Sequence, residues 1–169
     1  MRWLLALCAV LLAPTLTQAQ SPFEEAKALV ATYHEDLTRL DRARDLVEKS
    51  LKVDPQVEAM ILLSRIYFVW GDVRAATAGE KLNAYDRGRE VGKRAVELAP
   101  RNAEAHFWYA TNTGRFGQTK GVLRSLFLLP TIREALEIIF ELNPKHVGAH
   151  TLAGNVELAL PWGDLEKAE

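Results

Sequence analysis

Apolar residues recur at three- and four-residue intervals along most of this chain, and three stretches open alike: Val57-Glu58-Ala59-Met60, Ala103-Glu104-Ala105-His106 and Val147-Gly148-Ala149-His150. Each continues with apolar residues at helical spacing, namely Met60, Leu63, Ile66 and Tyr67, then His106, Tyr109 and Ala110, then Leu152, Ala153 and Val156. Each is preceded by a helix end and a proline, in Val53-Asp54-Pro55, Leu98-Ala99-Pro100 and Leu142-Asn143-Pro144. Proline lacks the amide hydrogen and crowds the preceding turn, so these positions stop a helix. The segments before the prolines, Thr38 to Val53, Glu80 to Leu98 and Thr131 to Leu142, are amphipathic and read as second helices of pairs. Gly71-Asp72, Phe116-Gly117 and Gly163-Asp164 read as the turns between paired helices. No run alternates apolar and polar over six residues between turn signals, so strands are not expected.

The openings lie 46 residues apart (57 to 103) and then 44 (103 to 147). This exceeds the period of about 34 of a tetratricopeptide unit, which the pattern otherwise resembles. Ser64, Ala110 and Gly154 fall where close helix crossing demands a small side chain. Ala43, Val47 and Ser50 before Pro55, and Gly88, Gly92 and Ala95 before Pro100, give the second helices a matching row of small residues. Each glycine costs about 1 kcal/mol of helix propensity, so the second row predicts unusually tight contact. Pro22 to Asp36 supplies a first helix ahead of 38–53. The predicted fold is all-α, an α/α superhelical solenoid of lengthened tetratricopeptide-like pairs, with units at about 23–55, 56–100, 101–144 and an incomplete 145–169.

The N-terminus reads differently. Arg2, an unbroken apolar stretch of eleven residues from Trp3 to Ala13, and Thr17-Gln18-Ala19 make residues 1–19 a signal peptide, leaving a helical-repeat domain at 20–169. Eleven residues fall short of the roughly 20 needed to span a bilayer. Cys8, the single cysteine, lies inside this segment, so the exported chain would carry no thiol; lipidation is set aside because Leu7 precedes Cys8. Without Arg2, 20 basic residues face 22 acidic ones, with both signs interspersed. That balance gives no electrostatic footprint for nucleic acid.

Candidate chemistry is sparse. His106 and His150 hold equivalent repeat positions and read as helix-packing imidazoles, His34 and His146 lie near helix ends, and the neighbours His34-Glu35-Asp36 point to different helix faces. Carboxylates sit beside lysines or arginines at helical spacing, as on a solvated face. No nucleophile motif or phosphate loop stands out, so no catalytic residue, metal site or cofactor is expected and the chain is read as a non-enzyme. In stacked pairs the first helices line the inner face. Helical counting places Ile61, Arg65 and Phe68, then Phe107, Thr111 and Arg115, then Thr151 and Asn155 on that face. Two arginines flanked by aromatics suit a peptide or a small apolar or acidic ligand.

From Ala103 through Ala110, Gly114-Arg115, Lys120-Gly121-Val122-Leu123, Leu142-Asn143-Pro144 and Gly163 to Ala168, the chain resembles the T-component (TatT) family of TRAP transporter-associated proteins. The lengthened repeat is shared with that family and with regulators of microtubule dynamics, and the signal peptide favours the former. The resemblance implies a periplasmic accessory protein that binds the solute-binding component of a TRAP-type transporter, forms homo-oligomers and offers a pore to an apolar ligand. It transfers no catalytic residues. The binding residues it implies lie on the matching first helices, chiefly Phe107, Trp108, Thr111 and Arg115. The alternative expectation is a general tetratricopeptide adaptor of the cell envelope that captures peptides or assembly partners.

Overall fold

A computed structural model describes residues 21–159. Among these residues it contains seven helices and no strand: α1 (Pro22–Ala31), α2 (Thr38–Val53), α3 (Val57–Val73), α4 (Ala78–Leu98), α5 (Ala103–Lys120), α6 (Val122–Leu142) and α7 (Val147–Ala159). The all-α class is as expected. The signal-peptide assignment, Gly163-Asp164 and the end of the fourth unit lie outside the described residues.

Local signals explain most boundaries. The Ser21 hydroxyl accepts from the Glu24 amide at 3.2 Å, and Asn102 Oδ1 accepts from the Ala105 amide at 3.1 Å. Thr77 and Glu80 form a reciprocal capping box, each side chain accepting from the other residue's backbone amide at 3.2 and 3.0 Å. Helix α2 has the predicted bounds, whereas α1 stops at Ala31, five residues before Asp36.

Consecutive helices pack antiparallel in two layers. The first layer holds α1, α3, α5 and α7, with α1 touching α3, α3 touching α5 and α5 touching α7; the second holds α2, α4 and α6. Apolar clusters fill the space between layers, one around Val30, Val47, Leu63 and Ile66, another around Ala110, Leu136 and Ile139. Between them Met60, Ala95 and Ala105 form a smaller third cluster, which shares its flanking Leu51 and Val91 with the first. Residues beyond a plain repeat lengthen the helices instead of forming insertions, since α3, α4, α5 and α6 have 17, 21, 18 and 21 residues.

Two predicted turns are therefore not turns. Gly71 and Gly117 lie inside α3 and α5, where each admits a neighbour. A Cβ at Gly71 would lie 2.5 Å from Tyr85 Cε1, and one at Gly117 3.1 Å from Ser125 Cα. The turn after α5 is Gly121 alone, whose φ of 108° is open to glycine and strained for other residues. Helix α6 begins nine residues before the expected Thr131 and runs through Pro130, which is exposed, so its ring meets solvent instead of the core.

The small-residue row of α4 behaves as predicted, for a Cβ at Gly92 would lie 3.0 Å from the Tyr109 backbone and 2.9 Å from Ser64 Oγ. Ser64 and Ala110 are fully buried. Gly154 meets nothing within 4 Å among the described residues.

Candidate functional site

The first-layer helices α3, α5 and α7, together with the N-terminal half of α6, enclose a groove of about 880 Å³. One wall is aromatic, the other aliphatic. On the aromatic wall Phe68, Trp108 and Phe107 follow one another with ring centroids 5.7 and 4.9 Å apart, and His146 continues the row 4.8 Å from Phe107. The aromatic row of α5 meets α7 where Phe107 packs on Gly148. A Cβ at Gly148 would sit 2.6 Å from Phe107 Cζ, so glycine there lets the end of the ring reach α7. The aliphatic wall comes from Leu126, Leu129 and Ile132 of α6 with Leu152 and Val156 of α7.

Polar groups sit at the rim. Arg115 pairs with Asp72 at 2.7 Å and its guanidinium lies 5.7 Å from the Phe68 centroid. Asp72 is itself held by the Tyr85 hydroxyl, which donates to Oδ1 at 2.6 Å. Burial, and then the hydrogen bond to Asp72, push the Tyr85 hydroxyl well above its ordinary range, so it stays a donor. Arg65 lies over Trp108 at 5.7 Å and has no carboxylate partner among the described residues. Inside, Thr111 lines the groove, and its Oγ1 is buried without a hydrogen-bond partner.

Of the predicted inner-face residues, Phe68, Phe107, Thr111, Arg115, Thr151 and Asn155 line this groove, as does Trp108, which only the family resemblance had implied. Arg65 stands beside it on Trp108, and Ile61 packs against the Met60, Ala95 and Ala105 contact instead.

Sequence reasoning missed three parts. The α6 wall belongs to the apolar run 122–132, which begins ahead of the second helix expected from Thr131; no helix of the described residues is long and apolar enough to cross a membrane. Gly148 carried no signal apart from its repeat position. His146 is buried: its Nδ1 accepts from the Ala149 amide at 3.1 Å, which leaves the proton on Nε2 to donate to Glu104 at 3.1 Å. Trp108 Nε1 donates to the same carboxylate at 3.1 Å, so Glu104 ties the α7 entry to the aromatic wall. His106 and His150 do occupy equivalent places, each ring contacting the carbonyl of the proline six residues earlier at 2.9 Å. His106 is buried, whereas His150 is exposed and lies over Phe140. Among the described residues no three His, Cys, Asp or Glu side chains cluster as metal ligands would.

A model of the family described as "Regulator of microtubule dynamics protein 1-3" matches residues 22–158. Relatives include Regulator of microtubule dynamics protein 2 of Mus musculus, 28% identical over 109 residues, covering 64% of this chain and 26% of the relative. Protein 2 of Rattus norvegicus is 26% identical over 139 residues, covering 78% and 33%. Protein 3 of Bos taurus is 30% identical over 99 residues, covering 54% and 21%. The chain thus spans a third or less of the length of these relatives.

These matches overturn the resemblance to the TatT family. The transporter role, the solute-binding partner, the periplasmic location and the envelope-adaptor alternative depended on that bacterial reading and fall with it. The lengthened repeat could not separate the two families because both have it, and the choice had rested on residues 1–19. Matched across nearly all its described helices, the chain belongs to the Regulator of microtubule dynamics protein 1-3 family.

Proposed function

We propose that this chain is a non-catalytic binding module of a regulator of microtubule dynamics, and that it takes an apolar-faced segment of a microtubule-associated partner protein into the groove. The groove carries the proposal: about 880 Å³, aromatic on one side and aliphatic on the other, with arginines at its rim. An amphipathic helix presents apolar anchors three and four residues apart, and such a face suits a groove walled by helices. Arg65, lacking a carboxylate partner, gives an acidic flank of that segment a contact strengthened by Trp108 beneath it. The binding residues are then Arg65, Phe68, Phe107, Trp108, Thr111, Arg115 and Asn155.

A second reading is a small amphiphile with an apolar tail and an acidic head. The unpartnered Thr111 hydroxyl favours it, since a buried hydroxyl without a partner costs about 1–3 kcal/mol and a ligand oxygen in the groove would relieve that.

The test is growth of microtubules from purified tubulin and cell extract, with wild-type chain, Thr111→Trp, which fills the groove, and Arg65→Glu, which reverses its rim charge. Both variants should lose the effect of the wild-type chain on growth and shortening rates. Unchanged rates with Thr111→Trp would remove the groove from the account. Native mass spectrometry of the purified chain separates the readings, because a retained small molecule adds mass that Thr111→Trp abolishes.

A further inference from the structure

Helix α6 buries Ile132, Ala135, Leu136 and Ile139 and turns Leu126 and Leu129 toward the groove. A different line of residues runs along its outer side: Leu123, Phe127, Pro130, Glu134, Glu137 and Glu141, at intervals of four, three, four, three and four. That spacing is the seam of a two-helix coiled contact. Every residue of it is exposed, Leu123 and Phe127 by 74% and 77%, and no described residue covers it.

The seam changes character at Pro130, apolar before it and acidic after. Beside the apolar half stand cations without acidic partners among the described residues. Arg124 and Lys120 each lie 6.0 Å from the centroid of Phe116 and neither forms a salt bridge. Glu134, Glu137 and Glu141 likewise form none. One end of the helix is thus apolar and basic and the other acidic.

We infer that the outer seam of α6 is a self-association surface on which a second copy of this chain packs antiparallel. A two-fold axis between Phe127 and Pro130 sets the Phe127 of one copy against the Pro130 of the other. It brings Arg124 of one copy within one residue of the level of the other copy's Glu134, while Lys120, at the end of α5, stands near the start of α6. Isologous pairing of this kind requires a self-complementary surface, and a helix basic at one end and acidic at the other is self-complementary only when antiparallel. An anionic lipid surface would meet the basic half but be repelled by three glutamates on the same line. A helix of 21 residues is about 30 Å long, and one such contact stands at the low end of stable interfaces, so the dimer is concentration-dependent.

Sedimentation velocity of the full chain over a concentration series tests this. Wild type should pass from monomer to dimer, with association weakened by added salt. Phe127→Asp and Arg124→Glu should each raise the dissociation constant about tenfold or more. Glu134→Arg added to Arg124→Glu should restore association, a recovery that damage to the fold could not produce. Because the seam faces away from the groove, Thr111→Trp should leave association unchanged whatever it does to partner binding. A wild type monomeric throughout, or a double variant no better than the single ones, would overturn the inference. So would a monomeric chain that floats with anionic vesicles and loses that binding on Phe127→Asp.

Discussion

The side-chain amide of Asn112 reaches across 48 residues of sequence to Ser64, its Nδ2 donating to the Ser64 carbonyl at 3.0 Å and to the hydroxyl at 3.1 Å. The Ser64 hydroxyl donates in turn to the Gly88 carbonyl at 2.8 Å. Three helices, α3, α4 and α5, therefore meet on one buried polar node, and the absence of a side chain at 88 makes room for it: a Cβ there would lie 2.6 Å from Asn112 Cγ. Such a node helps fix the register of one pair on the next, because alkyl contacts tolerate sliding while a donor and acceptor do not.

Asn112→Ala should lower stability by about 1–3 kcal/mol, since it strands buried groups of Ser64. Gly88→Ala should cost a similar amount in the wild-type background but less in Asn112→Ala, where the added methyl finds space. Urea unfolding of the two single variants and the double variant gives the coupling directly. Strict additivity would mean that the node does not bind the helices together.

Alkaline pH should destabilise the fold through Tyr85. Its folded hydroxyl is shifted upward from an ordinary value of 10.0 by burial and by Asp72, so the folded state keeps a proton that the unfolded state releases. The associated stability is complete below about pH 10 and falls as pH rises toward the shifted value, at about 1.4 kcal/mol per pH unit for each such group. Tyr67 moves the same way, through burial and its bond to Glu48. Urea midpoints measured from about pH 8 to 11 should therefore decline less steeply in Tyr85→Phe than in wild type. Equal slopes would show that Tyr85 ionises alike in both states.

Replacing Pro130 should strengthen α6. The proline has no amide to give the Leu126 carbonyl and sits exposed in the helix interior, so Pro130→Ala restores a bond without disturbing the core. A gain of about 1–2 kcal/mol is expected, reduced by the greater freedom alanine gives the unfolded chain. Thermal unfolding at dilute concentration, where self-association contributes nothing, measures it. A loss of stability would mean that the proline sets the tilt that brings Leu126 and Leu129 onto the groove.

Periodicity, proline stops and small residues at crossing points were local facts, and they were enough for an all-helical stack with α2 placed to the residue. Helical counting on α3, α5 and α7 likewise gathered most of the inner-face residues that meet at the groove, because a face follows from phase once the helices exist. The meaning of a glycine was not local: Gly71 looks like a helix end until Tyr85, fourteen residues on, is found filling its place. Nor was the fate of the run from Val122, where proline predicts a boundary and the helix passes through it because the ring faces water. His146 became a buried tie only when Glu104, 42 residues earlier, came within reach. Sequence by itself determined which segments coil and which side of each is apolar; tertiary packing alone decided which helices touch and what they leave open between them, because those outcomes depend on pairs of residues far apart along the chain.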